Sequence, residues 1–172
     1  YPDGAEDQKF WVSQARNAFM AFTLYLFEKY DDDQKIGFPF SKPPSLGAVY
    51  RLSSGDGQSE LKPFLKDLSQ RPFLSSHAKT AFAGMLSQAD ETFASILGTF
   101  KEPLNGFINP ILDAVTSADD FLLTDVRKKK MTIYIGIQPN KLAESRLIIN
   151  LFFSQLINLN TKELPQNNKE LK

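Results

Sequence analysis

The chain has 172 residues, of which 42% are hydrophobic and 15 are Phe, and its 20 basic and 20 acidic residues cancel to a net charge of zero. That length suits one domain, or one domain with part of a second, and supplies ample material for a core. Balanced charge argues against autonomous nucleic-acid binding, which a basic excess normally drives; the absence of cysteine excludes disulfides, thiol catalysis and zinc–thiolate sites; and no apolar stretch approaches the roughly 18–20 residues that span a bilayer.

Residues 1–8 are polar and bear Gly and Pro, so they read as a lead-in. A helix is predicted over 9–30, because Trp11, Ala15, Ala18, Phe22 and Leu26 recur at spacings of three and four. Val12 and Phe19 widen this stripe, and Arg16 within it is expected to pack its stem while its head reaches solvent. Asp31, Asp32 and Asp33 are expected to end the helix in a solvated loop, which Pro39, Pro43 and Pro44 keep extended. Ser45 is the predicted N-cap of a short helix over 46–53, closed by Gly55 and Gly57. Another short helix is expected over 59–69, and a longer one runs from Ser75 or Ser76 to about Gln88. From Asp90 the pattern restarts with Phe93, Ile96, Leu97 and Phe100 and runs to about Glu102, before Pro103. The last helix of the series covers 109–116, with Pro110 in its first turn, where proline is tolerated.

The composition shifts near Asp119 and Asp120. Residues 131–137, Met-Thr-Ile-Tyr-Ile-Gly-Ile, read as a buried-type strand that stops at Gln138, Pro139 and Asn140. A helix over 141–159 follows, with Leu142, Leu147, Ile148, Ile149, Leu151, Phe152, Phe153, Leu156 and Ile157 around most of its circumference. Such a helix belongs inside a larger core or against another copy of itself. A lone strand leaves its backbone groups unpaired, and strand–helix units normally stack into a parallel sheet. The expected fold class is therefore mainly α. A helical bundle over 9–120 is followed, in 121–172, by one strand and a long helix that belong to a truncated α/β domain, which the family resemblance given below implies is nucleotide-binding. The start at Tyr1 without Met and the polar run 165–172 fit a piece of a larger protein. Residues 121–159 should then fold back, stay poorly ordered or, the preferred outcome, self-associate through the helix.

No Gly-x-x-x-x-Gly-Lys-Ser/Thr loop, Gly-x-Gly-x-x-Gly, His-Glu-x-x-His or Gly-x-Ser-x-Gly occurs. His77, the only histidine, reads as a surface neighbour of a helix cap, and a single His without Cys makes a metal site unexpected. The three aspartates lack the ligand spacing of a calcium loop. No catalytic, cofactor-binding or metal-binding residue is assigned. Arg127, Lys128, Lys129 and Lys130 are the candidate nucleic-acid contact, although basic clusters beside a buried strand also serve as solubilising gatekeepers. Thr132 and Tyr134, alternating with Ile133 and Ile135, read as packing residues.

The stretch 121–157 resembles the coupling-protein ATPases of type IV secretion and conjugation, the TraG/TraD-type group, where they return from an inserted helical domain to the nucleotide-binding domain. The residues that carry this are Asp125-Val-Arg127, Thr132-Ile-Tyr134, Pro139, and Leu147, Phe152 and Leu156 in an apolar helix. Phe10-Trp11, Ala15-Arg16-Asn17 and Leu24-Tyr25-Leu26 are similar to the first helix of that family's all-alpha domain. Thr92-Phe93 with Ile96, Pro103-Leu104 and Thr116-Ser117-Ala118-Asp119 resemble its later part. These are packing patterns, and no family functional residue is carried onto a position here. The resemblance implies a parent that binds ATP and Mg²⁺, forms a homo-hexamer and is tethered at the cytoplasmic face of the bacterial inner membrane. For this stretch it implies the soluble all-alpha domain, which engages relaxosome proteins or secreted effectors and has no cofactor of its own. DNA contact through the basic run is the alternative.

Overall fold

Gly37, and not the aspartate run, stops the first helix. In the computed structural model, which describes residues 3–162, α1 (Asp3–Lys35) passes straight through Asp31, Asp32 and Asp33. Gly37 adopts a left-handed φ of 71°, and the N–H groups of Gly37 and Phe38 bond the carbonyls of Gln34 and Asp33 at 3.2 and 2.9 Å. That is a Schellman ending, for which glycine is the favoured residue. Asp33 is accommodated in the last turn because Lys29 Nζ, one turn earlier, donates to its carboxylate at 2.6 Å.

Five further helices follow in the first unit: α2 (Leu46–Ser53), α3 (Leu61–Ser69), α4 (Ser76–Leu86), α5 (Asp90–Lys101) and α6 (Pro110–Val115). Their starts are chemically marked. The hydroxyls of Ser45 and Ser75 accept from the N–H groups of Ala48 and Ala78, and the Asn109 side chain accepts from Ile111 N–H. Pro103 does not halt the chain as expected, because it stands at the start of a 3₁₀ segment, Glu102–Ile108, where its missing N–H costs nothing.

One face of α1 packs on α4 and α5 and contributes Ala18, Ala21, Phe22 and Tyr25 to the core. Phe22 is fully buried, with ring centroids 5.3 Å from Phe100 and 6.0 Å from Phe82. Tyr25 extends the cluster to Phe82 at 6.2 Å and Phe73 at 5.7 Å. Burial of each such ring contributes about 1.5–3 kcal/mol. Two members of the predicted stripe lie outside this face: Val12 and Phe19 keep 38% and 39% of their surface exposed. They sit on the flank, where no neighbouring helix covers them fully. Lys62 joins α3 to the start of α5, its ammonium donating to the Gln88 carbonyl at 2.7 Å and to Asp90 at 2.8 Å above the Phe93 ring.

The contacts divide the chain into two units, Tyr1–Ala118 and Asp119–Lys172. In the second, a 3₁₀ segment, Leu123–Arg127, packs on α7 (Leu142–Asn160). The expected strand over 131–137 is not formed: these residues have no regular structure, and no described residue offers them a ladder of backbone bonds. A strand exists only as a pairing, and alternation of side chains alone cannot supply the partner. Nor is α7 buried among the described residues; Leu142, Leu151, Phe153 and Ile157 are exposed, and Leu147 and Phe152 are half-buried. No helix of the described residues is long and apolar enough to cross a membrane.

Candidate docking groove

The last turns of α1 place Leu26, Lys29, Tyr30 and Asp33 on one face, at the three- and four-residue spacing of neighbours on a helix. The chain turns at Gly37 and again at Pro39 and Phe40, where Ser41 N–H bonds the Phe38 carbonyl at 3.4 Å, and residues 41–45, with Pro43 and Pro44, have no regular structure until Ser45 starts α2. From α2 come Ala48 and Arg51, and from α6 come Pro110, Asp113 and Ala114, with Ser117 just beyond its end. Between these walls lies an open groove of about 740 Å³. Phe38 and Phe40 form its lip, their rings edge to face at 6.0 Å, and Phe40 leaves 80% of its surface in solvent.

Two ion pairs organise the walls. Asp33 accepts from Lys29 Nζ and also from Ser41 Oγ at 3.0 Å, which fastens the proline segment to α1. Hydrogen bonding to Lys29 holds the Asp33 carboxyl below its ordinary range. Across the groove, Arg51 Nη1 donates to Asp113 Oδ2, linking α2 to α6. The other oxygen, Asp113 Oδ1, is buried without a hydrogen-bond partner and presses on Gly47, where a Cβ would collide with it. The close approach of α6 to α2 therefore requires glycine at position 47.

Apart from Asp33, the candidate site residues of the sequence lie elsewhere. Arg127 donates to the carbonyl of Asn160 at 3.0 Å, placing positive charge on the carboxyl end of α7, while Asn160 Nδ2 returns to the Leu123 carbonyl. Lys129 pairs with Asp125 at 2.8 Å, and Lys128 and Lys130 are exposed. His77 is exposed in the first turn of α4, beside its Ser75 cap, and Arg16 is exposed on α1. Asp31, Asp32 and Asp33 are helical and not in a loop, and Asp33 is part of the groove. The linear pattern does not place the groove itself. Its one local signal is Phe38-Pro39-Phe40, two aromatics in a segment too rich in proline to bury them.

What this arrangement offers is a surface for binding: an aromatic lip, apolar proline walls and charged heads, carried on a bundle of helices. The chain matches the family described as Type IV secretory system Conjugative DNA transfer over residues 2–172, and it belongs to that family. This agrees with its resemblance to coupling proteins. It is 31% identical over 158 residues to Protein VirD4 of Rhizobium radiobacter, a match covering 90% of this chain and 20% of that protein. Protein VirD4 of Agrobacterium fabrum (strain C58 / ATCC 33970) and of Rhizobium rhizogenes are each 29% identical over 159 residues, covering 90% of this chain and 21% of theirs. The chain thus spans about a fifth of the length of these relatives. No solved structure matches it significantly.

Proposed function

We propose that the helical unit is the substrate-docking part of a type IV coupling protein and recruits relaxosome DNA–protein complexes or effector proteins to the secretion channel. The observation that carries this reading is the open, aromatic-lipped groove on the helical unit of a chain whose family is conjugative DNA transfer. In the parent, residues 131–137 would pair within the parallel sheet of an α/β ATPase domain and α7 would cover it, which accounts for apolar residues exposed on both. ATP and Mg²⁺ would bind to that domain outside this chain, in a hexamer tethered at the inner membrane. Turnover of ATP by the purified chain, with contamination excluded, would contradict this division of labour.

A photo-crosslinking residue at Phe40 of the parent tests the docking role. It should capture a protein that also appears in recipient cells during transfer. Capture of DNA alone, or of neighbouring subunits alone, would remove the role. The alternative, nucleic-acid contact through Arg127, Lys128, Lys129 and Lys130, has exposed Lys128 and Lys130 in its favour, but Arg127 and Lys129 are engaged with Asn160 and Asp125. It predicts binding that collapses as salt rises.

A further inference from the structure

The groove's two ion pairs are lopsided in the same sense. The Lys29 side chain is 43% exposed against 14% for Asp33, and that of Arg51 is 56% exposed against 21% for Asp113. Each pair turns its acid inward and its base outward. Asp33 is further occupied by Ser41, and Asp113 lies against Gly47. A third base, Lys42, is exposed in the connecting segment and has no ion-pair partner among the described residues. An incoming group therefore meets three cationic heads and no comparably open carboxylate.

We infer that the groove takes a short, extended, acidic–apolar segment of a partner protein. This rests on the docking reading and names the chemistry of what docks. A carboxylate entering here receives charge-assisted hydrogen bonds from Lys42 and from the donors of Arg51 that Asp113 leaves open. An extended chain sends alternate side chains to opposite sides, so acids can face the bases while apolar residues lie on Phe38 and Phe40. The volume falls within the range of about 300–1,000 Å³ typical of ligand sites. A cationic segment would meet like charge, which disfavours it. Single-stranded nucleic acid needs ring faces on which successive bases stack, whereas the Phe38 and Phe40 rings stand at 75° to each other.

The test uses the full chain and fluorescein-labelled short peptides that alternate Glu with Leu, Gln with Leu, or Lys with Leu, beside an oligothymidylate. Anisotropy should show the Glu peptide binding at least about tenfold tighter than the Gln peptide, the scale expected from a desolvated charge contact. Lys42→Glu and Phe40→Ser change exposed side chains; circular dichroism should confirm an unaltered fold, and each should weaken the Glu peptide by about tenfold. Equal or tighter binding of the Lys peptide or of oligothymidylate overturns the inference, as does an affinity indifferent to Lys42→Glu. Capture of a transferred protein from Phe40 without a preference for the Glu peptide removes the acidic class and leaves the docking role standing. A Glu preference without such capture supports the acidic ligand chemistry and removes the docking role.

Discussion

The carboxylate of Glu28 holds Ser75 twice, accepting from its backbone N–H at 2.7 Å and from its hydroxyl at 2.6 Å. The same hydroxyl accepts from Ala78 N–H, so a residue about two turns before the end of α1 aims the cap that starts α4. Hydrogen bonds to a charged group contribute about 1.5–3 kcal/mol net of competition with water. Glu28→Ala should therefore cost about 2 kcal/mol in urea unfolding, and Ser75→Ala about 1 kcal/mol for the lost cap alone. The double variant should cost less than the sum, because both changes remove one network.

Phe22 and Phe19 are both on α1, but only the first is buried. Phe22→Ala should cost about 3–5 kcal/mol, the range for an aromatic removed from a core. Phe19→Ala should cost clearly less, since Phe19 already shows 39% of its surface and touches Phe100 at the rim of the cluster. Equal losses in chemical unfolding would mean that the flank of α1 is covered.

Alanine normally suits a helix better than glycine, by about 0.5–1 kcal/mol. At Gly47 the order should reverse, because the added Cβ meets the Asp113 carboxylate. A net loss of about 1–3 kcal/mol is expected, as for other overpacked sites. Asp113→Ala in the same chain should recover most of it, since the Arg51 pair that is given up is partly exposed and contributes only about 0.2–1 kcal/mol. No recovery in the double-mutant cycle would place the obstruction elsewhere.

Acid should weaken the fold through three aspartates. Hydrogen bonds from Lys29 to Asp33, from the Ser59 and Gln58 backbone to Asp56, and from Lys62 to Asp90 lower these carboxyls from 3.8. Their folded values lie below the unfolded one, so the stabilisation is present above 3.8 and is lost as pH falls through the lowered values. The urea midpoint should be level from neutrality to about pH 5 and fall below that, less steeply in Lys62→Met. At the alkaline end, burial raises the Tyr25 phenol above 10.0; its contribution is present below 10.0 and is lost as pH rises further. Tyr25→Phe should flatten that limb.

Exposed Leu151, Phe153 and Ile157 on α7 predict self-association of the isolated chain. Light scattering should show a mass above that of a monomer, and Leu151→Glu with Ile157→Glu should return it to monomer. A monomeric wild-type chain at high concentration would show that α7 needs no cover.

Short-range chemistry was legible in the sequence. Ser45, Ser75 and Asn109 mark the helix starts, and Phe93, Ile96, Leu97 and Phe100 lie buried on α5, because caps and helical spacing act within one or two turns. Gly37 is an equally local stop signal, and it outweighs the neighbouring aspartates, which stay helical. The predicted stripe on α1 was too wide because spacing orders residues around a helix without telling how many neighbours the helix has. The strand failed for a related reason: 131–137 has the alternation of a strand and, among the described residues, nothing to pair with. The groove was hidden by distance along the chain. Arg51 and Asp113 are 62 positions apart, and no window of sequence contains both.

Every buried side chain among the described residues belongs to the stretch 18–107, and none belongs to 119–162. Amide protons exchange with solvent through local openings whose cost follows the packing around them. Deuterium should therefore enter α7 far sooner than the middle of α1, although both are long helices. A partner that covers α7 would announce itself as slowed uptake there, without any change in helix content.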